Sequence, residues 1–97
     1  MSTVGQKLRE LREQAGLSLR KAAVLADVGI AILSKMERGE RKLSKDIILK
    51  LALLYNAKSD PLIVGYLSEK VIYELRDEEF GLEALKLAEE QLKYNNH

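Results

Sequence analysis

Residues 17–39 read LSLRKAAVLADVGIAILSKMERG, and the spacing of small, apolar and turn-forming residues in this stretch decides the fold. Ser18 can cap a short helix whose Ala22, Ala23 and Ala26 share one face. That helix has room for only about two turns at roughly 3.6 residues each before Asp27, Val28 and Gly29 supply a turn. A second helix then runs over residues 30–38, with Leu33 and Met36 directed inward and Gly39 as its stop signal. Two short helices that cross steeply need a small residue where they touch, which Ala23 provides. They also need a tight turn whose apolar residue, Val28, fills the core. The same spacing leaves Gly29, Ile30, Ala31, Ser34, Lys35 and Arg38 on the outer face of the second helix.

Outward from this pair, the pattern stays helical. Thr3 and Gln6 form a capping-box pattern, Val4, Leu8, Leu11 and Ala15 recur at helical spacing, and Gly16 ends the run with a residue suited to a left-handed backbone. After the polar loop Glu40, Arg41, Lys42, Ser44 caps a helix with Asp46 in its first turn and an apolar stripe of Ile47, Ile48, Leu51, Leu54 and Tyr55. Asp60 and Pro61 read as the N-cap and first position of a further helix, whose Leu62, Ile63, Tyr66, Leu67, Val71, Ile72 and Leu75 cover more than one face. A break over residues 76–79 precedes a last stripe of Phe80, Leu82, Leu85, Ala88 and Leu92 that reaches Tyr94. The expected architecture is all-α, with a compact four- to five-helix unit over residues 1–58 and a C-terminal helical extension over residues 59–97.

Composition narrows the function. The 97 residues are 46% hydrophobic but only 5% aromatic, with one proline, a balance that favours packed helices in one small domain. Cysteine is absent, which excludes disulfides and thiolate metal sites. The one histidine is His97, after Asn95 and Asn96, where a tail residue is a more economical reading than a ligand. No metal or cofactor is expected. A glycine-rich phosphate loop and an internal histidine are both missing, and the carboxylates lie on a solvated helix face, so the chain reads as a non-enzyme. Residues 1–5 show no basic stretch leading into an apolar one, and no run approaches the roughly 18 apolar residues of a membrane span. A soluble, cytoplasmic protein is expected.

Net charge is only +1, but it is unevenly distributed. Residues 1–58 carry 12 Lys/Arg against 6 Asp/Glu, and residues 59–97 carry 4 against 9. A basic N-terminal part suits a polyanion, whereas phosphate would repel the acidic remainder.

The stretch 17–39, with its flanks over residues 3–58, resembles the helix-turn-helix of the Cro and lambda-repressor type, the xenobiotic-response-element (XRE) family. The resemblance implies a transcription regulator that binds double-stranded DNA, with the helix over residues 30–38 in the major groove. Arg38, Arg41, Lys42 and Lys45 would contact phosphate, Lys35 and Arg38 could bind phosphate or reach base edges with Lys35 the favoured base reader, and Ser34 would bond to base or phosphate. Ile30 and Ala31 would offer methyl contact to thymine, Gly29 close backbone approach, and Arg20 completes the DNA-contact set. Arg12 and Glu37 occupy positions that form a salt bridge in the family; the alternative is two exposed charges contributing about 0–1 kcal/mol. The sequence departs from the family at Leu19, where glutamine is common, and at Ile30, where a polar reader is usual. Direct readout is therefore expected to be sparse, with specificity leaning on DNA shape and half-site spacing.

A regulator of this type binds two-fold symmetric sites, so a dimerising element is expected. Leu62, Ile63, Tyr66, Leu67, Val71, Phe80, Leu85 and Leu92 offer it, unless these residues fold back as intrachain core. Three functions stay open at this level: a homodimeric repressor or restriction-modification controller on a palindromic operator, an antitoxin that binds DNA and a protein partner, and a helical adaptor without DNA binding. The antitoxin reading would use Glu78, Glu79, Glu83, Glu89 and Glu90 on the acidic C-terminal helix as a docking face for a basic partner.

Overall fold

The computed structural model describes residues 3–95. Among them it has six helices and no strand: α1 (Val4–Gln14), α2 (Leu19–Ala26), α3 (Ile30–Glu37), α4 (Lys45–Leu54), α5 (Ser59–Leu75) and α6 (Gly81–Asn95). The all-α expectation is borne out. No helix among these residues is long and apolar enough to cross a membrane.

Helix starts follow local side-chain chemistry. Thr3 Oγ1 accepts the Gln6 N–H at 3.0 Å while the Thr3 N–H donates to Gln6 Oε1 at 3.0 Å, a reciprocal capping box. Ser18 Oγ accepts from Lys21 N–H and Ser44 Oγ from Ile47 N–H, which caps α2 and α4. The turn after α2 falls on Asp27, Val28 and Gly29, and its left-handed residue is not the glycine. Asp27 takes the left-handed conformation at φ 55, and Gly29 is extended at φ −60. A short polar side chain tolerates that region, and Lys50 Nζ from α4 donates to the Ala26 carbonyl at 2.9 Å, placing a cation at the C-terminus of α2.

The helices form two compact units, the first ending at Leu67 and the second beginning at Ser68. The first is built on Leu8, Leu33, Ile48 and Leu51, all fully buried, with Val4, Ala22, Ala23, Ala26, Ile47, Ala52, Tyr55 and Leu62 around them. Ala22, Ala23 and Ala26 let α2 lie close to its neighbours, and Val28 packs against the core from the turn. Helix α1 approaches the end of α3 more closely than most side chains would permit: a Cβ at Gly5 would stand 2.4 Å from the Met36 carbonyl oxygen.

The C-terminal third differs from expectation at its boundary. Helix α5 starts at Ser59, one residue before the expected cap Asp60, and Pro61 lies within the first turn, where its missing N–H leaves no intrahelical bond unmade. Leu62 is 4% exposed, and Ile63 and Tyr66 pack against the core. Of these three, expected at a dimer surface, Leu62 is intrachain core and Ile63 and Tyr66 are half-buried against it, because α5 lays its first turns on α1, as the 2.9 Å between a Cβ at Gly65 and Val4 Cγ2 shows. The first compact unit thus takes in the start of α5, as far as Leu67.

Within the second unit, α5 and α6 are joined by a turn that only glycine can close, since a Cβ at Gly81 would lie 2.6 Å from the Leu75 carbonyl oxygen. Arg76 stacks 5.1 Å from the Tyr73 ring centroid, and Lys93 pairs with Glu89 at 3.0 Å. Every α6 side chain from Leu82 onward is exposed.

A polar cluster sits inside the first unit. Arg12 Nε donates to Glu37 Oε2 at 2.8 Å and Nη2 to Oε1 at 3.1 Å, while Nη1 donates to the Leu17 carbonyl at 2.9 Å. Both residues are buried, at 9% and 5% exposure. Donation to the Glu37 carboxylate, with its negative charge adding to the effect, holds the Arg12 guanidinium pKa above its ordinary value. Tyr55 Oη is buried nearby without a hydrogen-bond partner, and burial, with the Glu37 charge second, pushes its pKa up to about 12.

Two outcomes follow for stability. Arg12→Met or Glu37→Leu alone should cost about 3–5 kcal/mol by stranding a buried charge, and the double variant should recover most of that loss in urea denaturation. Additive losses would show that the two residues do not act as a pair. Tyr55 has a folded pKa above its unfolded value of about 10, so its contribution is complete below pH 10 and is lost as pH rises toward 12. The wild type should therefore lose on the order of 1–2 kcal/mol across that window relative to Tyr55→Phe, which at pH 7 should be no less stable. Parallel pH profiles of the two proteins would contradict this assignment.

Candidate nucleic-acid interface

The outer face of α3 is built by what its inner face does. Leu33 is fully buried, Met36 packs against the core and Glu37 is held by Arg12. Three anchors on one side of an eight-residue helix fix its rotation about its own axis. Ile30 (41% exposed), Ala31 and Lys35 then point to solvent, with Ser34 half-buried at their edge. The sequence-predicted set 29, 30, 31, 34, 35 and 38 thus shares one surface.

The N-terminus of this helix is bare. Gly29 is the N-cap and makes no side-chain hydrogen bond. A Cβ there would meet only Ile32 side-chain atoms, at 3.6 Å and beyond, and its φ of −60 is ordinary for any residue. The fold does not require glycine at this point, and the exposed first turn can be approached closely by another molecule.

The C-terminus of α3 is cationic. Gly39 at φ 77 ends the helix, the Gly39 N–H donates to the Met36 carbonyl and the Glu40 N–H to the Lys35 carbonyl, which closes a Schellman motif. Arg38, Arg41 and Lys42 follow on exposed positions, and Lys45 opens α4. Among the described residues no carboxylate pairs with Lys35, Arg41 or Lys45, whereas Arg38 is ion-paired with Glu40. Arg20 lies exposed at the start of α2, away from the 38–45 segment in sequence.

Among the described residues no group of His, Cys, Asp or Glu is arranged to hold a metal ion; the expectation for His97 falls outside them. The expected dimer residues divide. Leu67, Val71, Phe80, Leu85 and Leu92 are exposed, while Leu62, Ile63 and Tyr66 are not. Sequence reading missed Gly5, Lys50 and the buried Tyr55 hydroxyl, whose roles rest on contacts between distant segments and leave no local signature.

The Helix-turn-helix domain family model matches residues 3–63. The chain belongs to this family. The XRE-type resemblance read from residues 17–39 is borne out, and the matched span contains the core, the α2–α3 pair and the basic loop. This helix-turn-helix domain is 38% identical over 61 residues to the HTH-type transcriptional regulator ImmR of Bacillus subtilis, covering 63% of this chain and 48% of that protein. It is 35% identical over 60 residues to the HTH-type transcriptional regulator DdrOP3 of Deinococcus deserti, covering 62% and 46%. The chain thus spans about half the length of those relatives. A crystal structure of a hypothetical protein from E. coli shares the fold, with TM-score 0.66 at 22% identity over 88% of this chain and 87% of that one.

These cations lie on two parts of the surface, Lys35 on the outer face of α3 and Arg41 and Lys42 beyond its C-terminus. Lys35→Ala, on the outer face of α3, should weaken binding to a selected duplex more than to mixed-sequence DNA. Arg41→Ala and Lys42→Ala should weaken both alike, each flattening the log affinity against log salt slope by about 0.9. Equal losses on both duplexes from all three variants would remove the distinction.

Proposed function

We propose that this chain is a sequence-specific DNA-binding transcription regulator that recognises a two-fold symmetric operator as a homodimer. The observation that carries the reading is the outer face of α3, held on three anchors and continued by the cationic segment 38–45. Duplex DNA asks for both features, a rigid helix for the major groove and cations for the phosphates beside it. Gly29, Ile30, Ala31, Ser34 and Lys35 read the groove, and Arg38, Arg41, Lys42, Lys45 and Arg20 hold the backbone. With Ile30 and Ala31 restricted to methyl contacts, DNA shape supplies much of the discrimination. Repression is the mode we assign, because occupying a promoter requires only affinity and register.

The homodimer rests on the exposed apolar residues of the C-terminal helices. Leu85, Ala88 and Leu92 on α6 follow a spacing of three and four residues, as do Val64, Leu67 and Val71 on α5, the spacing of a helix-pairing seam. Leu82, Leu85 and Leu92 are 77%, 41% and 64% exposed. A 15-residue helix with no buried side chain beyond its first residue is marginal in water by itself, and a second copy would cover it.

Selection of bound duplexes from a random pool tests the reading as a whole: two half-sites in inverted repeat are expected, and a pool that shows no enrichment would overturn it. Leu85→Glu with Leu92→Glu should convert a sedimenting dimer to a monomer and weaken operator binding at least about tenfold by loss of the linked half-site. A dimer that persists in this variant would move the interface elsewhere.

A further inference from the structure

Between residues 28 and 45 the carboxylates are Glu37 and Glu40. Glu37 is consumed inside the protein by Arg12. Glu40 is exposed in the middle of Arg38, Arg41, Lys42 and Lys45, where an isolated negative charge opposes the attraction of a polyanion. Its position is not left to chance. The Schellman motif bonds the Glu40 N–H to the Lys35 carbonyl at 2.8 Å, with Gly39 in the left-handed region, so the Glu40 backbone is fixed two residues beyond the guanidinium that its carboxylate engages.

We propose that Glu40 is a specificity-determining residue that stands in for a DNA phosphate on Arg38 and so restrains binding to non-cognate DNA. This rests on the DNA-binding reading. A carboxylate on the Arg38 Nε occupies a donor that a phosphate oxygen would take, and both side chains are more than half exposed, so the pair is weak and open to exchange. Non-cognate duplexes are held almost wholly by phosphate contacts, and for them the loss of one guanidinium and the presence of one repelling charge weigh most. An operator adds base contacts from α3 that draw the backbone close enough to displace Glu40. The device lowers affinity everywhere and lowers it more where only phosphates bind, which widens the ratio that governs occupancy among many competing sites.

The test uses the full chain and a mixed-sequence duplex, titrated over a range of salt with the wild type, Glu40→Gln, Arg38→Gln and the double variant. Glu40→Gln should tighten binding about 3- to 10-fold near 0.1 M salt and steepen the log affinity against log salt slope by about 0.9, the signature of one added phosphate contact. In the Arg38→Gln background the same substitution should produce less than half of that gain on a logarithmic scale and no change of slope. A gain of equal size in both backgrounds would show Glu40 acting as bulk charge, and a loss of affinity would show it holding Arg38 ready for DNA; either result overturns the proposal. Wild-type binding that Glu40→Gln leaves unchanged overturns it while sparing the DNA-binding reading. Failure of all four proteins to bind duplex overturns both.

Discussion

One buried guanidinium organises the first unit. Arg12 forks onto both oxygens of Glu37 and donates from its third nitrogen to the Leu17 carbonyl, so a single side chain joins the last turn of α1, the last residue of α3 and the chain entering α2. An ion pair of this kind need not raise net stability over an apolar substitute, because desolvation consumes much of the Coulombic gain. What it does impose is geometry. An apolar plug could seat the end of α3 at several rotations, whereas a planar fork meeting a carboxylate has few. Gly5 is the steric counterpart: the absence of its Cβ lets the α3 carbonyls come to rest against α1.

The outer face of α3 inherits its precision from that arrangement. Its inner residues are committed to Leu33, Met36 and the Glu37 carboxylate, and no outer residue contributes to the core. The polar cluster carries a cost at Tyr55, whose hydroxyl lies among charges without a partner. The second unit is a different kind of object, in which α5 passes into α6 through a tight turn at Gly81 and every α6 side chain from Leu82 onward is exposed.

Much of this was legible because the relevant signals are local. Thr3, Ser18 and Ser44 announce their helices through hydrogen bonds to residues three positions on, and Gly16 and Gly39 announce the ends through the backbone region they occupy. Ala22, Ala23, Ala26 and Leu33 recur at helical spacing, and all four are core. Leu62, Ile63 and Tyr66 pack on their own chain while Leu67 and Val71 are exposed, a division that periodicity cannot make in a helix that is apolar on more than one face. The Asp60–Pro61 pair is a sound start signal that lies two residues late, the helix beginning at Ser59 where Pro61 is the expected first position. Gly5 against Met36, Lys50 on Ala26 and Glu40 on Arg38 depend on where the chain returns or on a turn geometry, and composition carries no trace of them.

Gly29 has a consequence that reaches past this molecule. Because neither its backbone angle nor its surroundings demand glycine, and because Ile30, Ala31 and Lys35 are likewise unemployed by the core, the residues that hold α3 in place and those proposed to read DNA are separate positions of that helix and its N-cap. On the proposed reading, mutational drift at those four sites would be screened by the DNA and hardly at all by folding. Such a domain can be respecified by a few substitutions without passing through an unfolded ancestor, and a gene duplicate could diverge in target while its scaffold stayed the same.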